Sequence, residues 1–127
     1  MPYRLALSSL IIVFAAFARG EPSPGACLIE SADELPAIRL CQENISIPSS
    51  LFGAGFCKPE IPDRVLKVKM LEACPQGAYG KCEGAETSGV GYRQSIFYYS
   101  EQDDAPVLAA YCEQISKGRW IELKISE

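Results

Sequence analysis

Six cysteines, Cys27, Cys41, Cys57, Cys74, Cys82 and Cys112, are the residues of this chain with the widest chemical repertoire. They could act as nucleophiles, metal ligands or bridge partners, and their context decides among these roles. No two have C-x-x-C spacing, so thiol–disulfide catalysis lacks its usual motif. Histidine is absent, which removes the usual general base, the usual zinc ligand and every Ser-His or Cys-His arrangement. Structural disulfides account for all six cysteines. Sequence alone leaves the connectivity open. A local closure of Cys74 with Cys82 is the favoured pair, and Cys41 and Cys112 would each pin a helix to a strand or loop.

The remaining catalytic candidates are carboxylates, the Asp103-Asp104 pair and the Glu83, Glu86 pair. A glycosidase-type mechanism needs two acids across one cleft, whereas helix capping and solvation explain these positions without catalysis. No catalytic residue, metal ligand or cofactor is expected. Recognition is the better prospect. Strand alternation sets Phe97 and Tyr99 on one side and Ile96 and Tyr98 on the other. One set packs under a helix and the other is exposed beside Trp120, making Tyr98, Tyr99 and Trp120 the candidate binding surface. The competing reading covers both faces in a small sheet. Asn44, the only asparagine, begins an Asn-Ile-Ser glycosylation acceptor, which matters only in a eukaryotic source.

These residues need elements to hold them. A helix is expected from Asp33, with Pro36 in its first turn and Leu35, Ile38, Cys41 and Ile45 on one face. Ser31 with Glu34 is an alternative capping box. Pro48, Gly53, Gly55, Pro59 and Pro62 make Ile47 to Asp63 mostly loop, stapled at Cys57 but with little core of its own. Leu66, Val68 and Met70 alternate with Lys67 and Lys69, a strand pattern with one buried face and a helix as the alternative. Cys74 to Cys82 reads as a short connection, and Glu83 to Gly91 as a second glycine-rich turn region. Tyr92 to Tyr99 is a strand rich in aromatic residues. The clearest helix follows, capped by Asp103 or Asp104, with Pro106 in its first turn and Leu108, Tyr111, Cys112 and Ile115 on one face. Lys117 and Gly118 stop it. Trp120 to Ile125 alternates as a half-buried strand. The two helical segments share an acidic cap, an early proline and a late cysteine, which suggests a duplication, although capping chemistry alone produces the same pattern.

The start of the chain sets the compartment. Arg4 precedes an apolar run from Leu5 to Ala18, and small residues follow at Ala16-Phe-Ala18 or Ala18-Arg-Gly20. That is a secretory signal over 1–20, cleaved after Ala18 or Gly20; the run is too short for a bilayer span of about twenty residues. A single domain, 21–127, should enter an oxidising compartment where paired cysteines persist. Glu21 to Gly25 reads as an extended leader. Removing Arg4 and Arg19 leaves ten basic residues against sixteen acidic ones, a net charge of −6. Such acidity argues against nucleic acid and against docking on anionic lipid.

The stretch with Cys74-Pro75, Gly80-Lys-Cys82, Ile96-Phe-Tyr-Tyr99, Cys112 and Gly118-Arg-Trp120 resembles a module of uncharacterised bacterial exported proteins and lipoproteins. That module has Gly-Gly-x-Trp where this chain has one glycine, and its lipoprotein members start with a cysteine this chain lacks. The resemblance implies a bacterial envelope setting and transfers no activity or site residue.

The expected fold is therefore a small disulfide-stapled α+β domain, about two helices on a mostly antiparallel sheet of three to four strands. The expected role is a periplasmic or secreted, non-enzymatic binding or envelope-associated protein whose partner is another exported protein. The rivals are a small proteinaceous inhibitor or immunity protein, presenting Phe52 to Cys57 or Gln76 to Lys81, and a carboxylate-based hydrolase.

Overall fold

The computed structural model describes residues 11–12, 25–58, 61–87 and 89–124. Apart from 11–12, the expected signal segment and leader up to residue 24 lie outside them, as does Ile125. Six strands, β1 (Ala26–Ser31), β2 (Arg39–Asn44), β3 (Leu66–Leu71), β4 (Gly80–Thr87), β5 (Val90–Tyr98) and β6 (Arg119–Glu122), form one sheet. Their order is β3-β1-β2-β5-β4-β6 and every pair is antiparallel. Two short helices accompany it, α1 (Ser49–Leu51) and α2 (Ala105–Gln114). The expectation of three to four strands is thus corrected to six, with correspondingly less helix.

The difference comes from two places. No helix forms after Asp33; β1 and β2 make a hairpin whose connection is closed by side chains. Asp33 accepts the Leu35 N–H at 3.1 Å, and Ser31 Oγ accepts the Ile38 N–H at 2.9 Å. The acid caps a turn instead of a helix. Cys41, placed on the expected helix face, instead joins a strand that pairs on both edges, with β1 and with β5. Tertiary pairing overrides local pattern here, and the suggested duplication goes with it. The second place is β4, read as turn sequence because of its glycines. Gly84 has φ +72° at a break in register between Cys82 and Ala85, so it forms a β-bulge inside a continuous strand.

Other elements match the sequence closely. β5 covers the aromatic run up to Tyr98, β6 takes in Trp120 but ends at Glu122, short of the expected Ile125, and α2 carries Pro106 in its first turn. Neither Asp103 nor Asp104 caps α2 through its side chain; Gln102–Asp104 is a 3₁₀ turn that feeds into it. Lys117, at φ +57°, takes the left-handed position at the stop, and the Gly118 N–H donates to the Cys112 carbonyl.

The sheet is covered unevenly. On its front face Cys27 and Ile29 of β1 pack with Ile47, Phe52 and Cys57. Further along that face Cys82 and Ala85 of β4 pack with Cys112 of α2. On the back face Ala26, Leu28 and Cys41 pack with Leu71, Cys74, Phe97 and Tyr99. Phe52 is fully buried, so the segment expected to be a loop with little core supplies the largest fully buried side chain among the described residues. It enters through a π-helical turn, Phe52–Phe56, that continues α1.

Each cluster holds one disulfide. Cys27–Cys57, Cys41–Cys74 and Cys82–Cys112 have Cα–Cα distances of 6.1, 5.8 and 5.6 Å. The favoured Cys74–Cys82 closure is therefore overturned. Cys82 belongs to the front-face cluster with Cys112 and Cys74 to the back-face cluster with Cys41, so the sheet itself separates them. Cys41 lies in a strand, and of the two expected helical cysteines only Cys112 is helical. The bridges suit an oxidising compartment, and among the described residues no helix is long and apolar enough to cross a membrane.

Candidate functional site

A cleft of about 550 Å³ runs across the front face between its two coverings. Its floor is Gln42 of β2 with Gln94 and Ile96 of β5, neighbours through the register Gln42↔Ile96 and Asn44↔Gln94. One wall is Gly55, Phe56 and Lys58 from the π-helical turn, which Cys57 bonds to β1. The opposite wall is Tyr111, Ile115 and Ser116 from the end of α2, which Cys112 bonds to β4. The Glu86 N–H donates to the Ser116 carbonyl at 2.7 Å and closes that wall onto the sheet. Glu86, Thr87 and Gly89 of the β4–β5 hairpin complete the lining.

The polar floor has a defined polarity. Gln42 Nε2 donates to the Phe56 carbonyl at 2.9 Å, an atom that can only accept, and this fixes the orientation of the Gln42 amide. Its other hydrogen goes to Gln94 Oε1 at 2.9 Å, which fixes Gln94 in turn. The Gln94 Nε2 group is left as a donor without a partner among the described residues, on a residue only 7% exposed that lines the cleft. Tyr111 and Ile115, expected as a core face of α2, are instead 58% and 61% exposed and form an apolar wall. At the rim Glu86 pairs with Arg93 at 3.2 Å, and Arg93 also donates to the Gly84 and Lys117 carbonyls. Lys58 has no ion-pair partner among the described residues.

The aromatic surface expected from sequence divides. Tyr98 and Tyr99 follow one another in extended chain and point to opposite faces. Tyr98 and Trp120 are on the front, ring centroids 5.7 Å apart, and the Trp120 ring fills the space beside Gly80, where a Cβ would collide with it. Burial pushes the Tyr98 hydroxyl up to about 12. Tyr99 is on the back, under the Arg39 guanidinium at 4.8 Å, and its hydroxyl donates to the Pro75 carbonyl. Burial also raises it to about 12. All three are half-buried. Trp120 therefore joins Tyr98 and not Tyr99, and the pair braces β5 and β4 against β6.

Of the four candidate acids, Glu86 alone lines the cleft, already paired with Arg93, while Asp103, Asp104 and Glu83 are exposed elsewhere. Thr87 and Ser116 bring hydroxyls with no base beside them. Among the described residues no three His, Cys, Asp or Glu side chains gather as a metal site would require. Gln42 and Gln94 carried no readable signal in sequence, since an amide within a strand looks like any solvent-facing residue until both its edges are paired. The Asn44 acceptor is occupied: its Oδ1 accepts the Ile47 N–H and its Nδ2 donates to the Ile47 carbonyl, both at 2.7 Å. Comparison with protein-family models, curated proteins and solved structures finds no match for this chain.

Proposed function

We propose that this chain is a non-enzymatic binding protein of the periplasm or extracellular space, and that its ligand lies in the front-face cleft. The observation that carries the reading is the Gln94 amide, a donor held at the floor without a partner among the described residues. The amide faces the cleft, where an acceptor on a ligand would take the place of water. A carbonyl or carboxylate oxygen satisfies it, and the flanking Phe56, Ile96, Tyr111 and Ile115 offer apolar contact on either side. Such a lining suits a peptide segment of another exported protein, with its backbone carbonyls over the glutamines and apolar side chains on the walls.

The test is a photo-activatable phenylalanine analogue placed at Tyr111 in the tagged, exported protein, cross-linked in its native envelope fraction and read by mass spectrometry. One dominant stoichiometric partner, reduced at least about tenfold by Gln94→Leu, supports the cleft. Capture only from an analogue at Tyr98 or Trp120 would transfer the role to the aromatic pair. No partner from either position rules out a protein ligand.

A second reading is a small enzyme inhibitor. It is favoured by the tip Gly53-Ala54-Gly55, which is exposed between the buried Phe52 and the bridged Cys57. A stapled, pre-ordered turn loses little entropy on plugging a cleft. Inhibition of a wall-degrading enzyme or protease, abolished by Ala54→Trp, would select it.

A further inference from the structure

Among the described residues β3 is an edge strand, paired with β1 on one side only. Its six residues keep a free row of backbone groups along the outer side, long enough to accept another strand. The side chains are sorted by face. Val68 and Met70, on the front, are 43% and 37% exposed, while Leu66 on the same face is half-buried against the Phe52 cluster. Lys67 and Lys69, on the back, are exposed and have no ion-pair partner among the described residues. Glu30, directly opposite Lys67, gives its carboxylate to Arg39 at 3.4 Å. Two unneutralised cations on an edge thus stand out in a chain of net charge −4.

We propose that the outer edge of β3 binds an extended segment of a partner protein that alternates apolar and acidic residues, adding a seventh strand to the sheet. The backbone row supplies hydrogen bonds. Apolar side chains of the segment continue the Val68 and Met70 face, and its carboxylates fall beside Lys67 and Lys69. A second copy of this chain fits poorly. In an antiparallel pairing of two β3 strands centred on Val68, which overlaps residues 66–70, each Lys67 lies opposite the other copy's Lys69, and like charges directly opposite are destabilising. This surface is separate from the cleft, and its test leaves the cleft untouched.

The experiment titrates the disulfide-intact protein with a capped, fluorescent peptide as long as β3, alternating valine and glutamate, and follows anisotropy and hydrogen exchange. Binding is expected with added protection confined to Leu66–Leu71. Replacing glutamate by lysine in the peptide should weaken binding by about tenfold, and N-methylating alternate peptide amides, in one register, should abolish it. The double variant K67E/K69E, altered at exposed positions only, should reverse the charge preference. Equal binding of acidic and basic peptides, indifference to N-methylation in both registers, or protection elsewhere would each overturn the proposal. So would a dimer in sedimentation that the peptide cannot dissociate.

Discussion

Asp33 collects four hydrogen bonds, two from Arg64 and one each from the Leu35 and Val65 N–H groups. The Arg64 bond first, then the backbone donors, hold its carboxyl well below the usual carboxylate range. A depressed folded pKa contributes stability above the unfolded value, near 4, and loses it as pH falls through and below that value. The wild type should therefore be more stable than Asp33→Asn at pH 7, with the gap shrinking in urea melts below about pH 4. Tyr98 has the opposite sign. Its folded value of about 12 exceeds the unfolded value of about 10, so its contribution is complete below pH 10 and is lost as pH rises toward 12. Tyr98→Phe should flatten the loss of stability above about pH 10, and absorbance at the tyrosinate band should report one late-titrating group fewer. Asn44 shows how a residue-level motif misleads: the triplet is intact, yet its amide is held by the Ile47 backbone.

Among the elements, α2 depends most on a single link. It has one buried residue, Cys112, and its apolar Val107, Tyr111 and Ile115 are exposed. An isolated helix of this length is marginal in water, so the Cys82–Cys112 bridge holds it to β4 and maintains one wall of the cleft. The double variant C82S/C112S should lose roughly 2–4 kcal/mol in denaturant unfolding. Hydrogen exchange should then show α2 opening before the sheet, and the Tyr111 cross-link should disappear. The π-helical turn is tied more firmly, through Cys57, through Phe52 and through the Gln42 bond to Phe56. The two walls therefore differ in how many contacts tie them to the sheet.

At the scale of the molecule, the six-stranded sheet has cover at both ends of its front face and a partial one on its back, so the apolar interior is divided into three small clusters. Each cluster is too small to hold alone, and each carries a bridge between residues 30 to 33 apart in sequence. Phe52 is the largest fully buried side chain among the described residues. Phe52→Ala should cost about 3–5 kcal/mol, a large part of the roughly 5–15 kcal/mol available to a domain, and is expected to lower the thermal midpoint sharply while the disulfides stay intact. A loss below about 1 kcal/mol would show that the π-helical turn contributes little to the core.

What the sequence determined by itself is what acts within a turn or two of chain. Pro106 and the Lys117-Gly118 stop delimit α2, the β-favouring run from Tyr92 makes β5, and alternation marks β3, because capping, propensity and period operate on adjacent residues. That all six cysteines form bridges also follows from their number and the missing histidine. Which cysteines join, that β1 and β2 pair where a helix was spelled, that Gly84 is a bulge and not a turn, and that Gln42 and Gln94 meet beneath a cleft were decided only by the tertiary structure. The bridges span 30 to 33 residues and the Gln42–Gln94 contact 52, and in β2 and β4 strand pairing on both edges outweighs the local preference of a short segment.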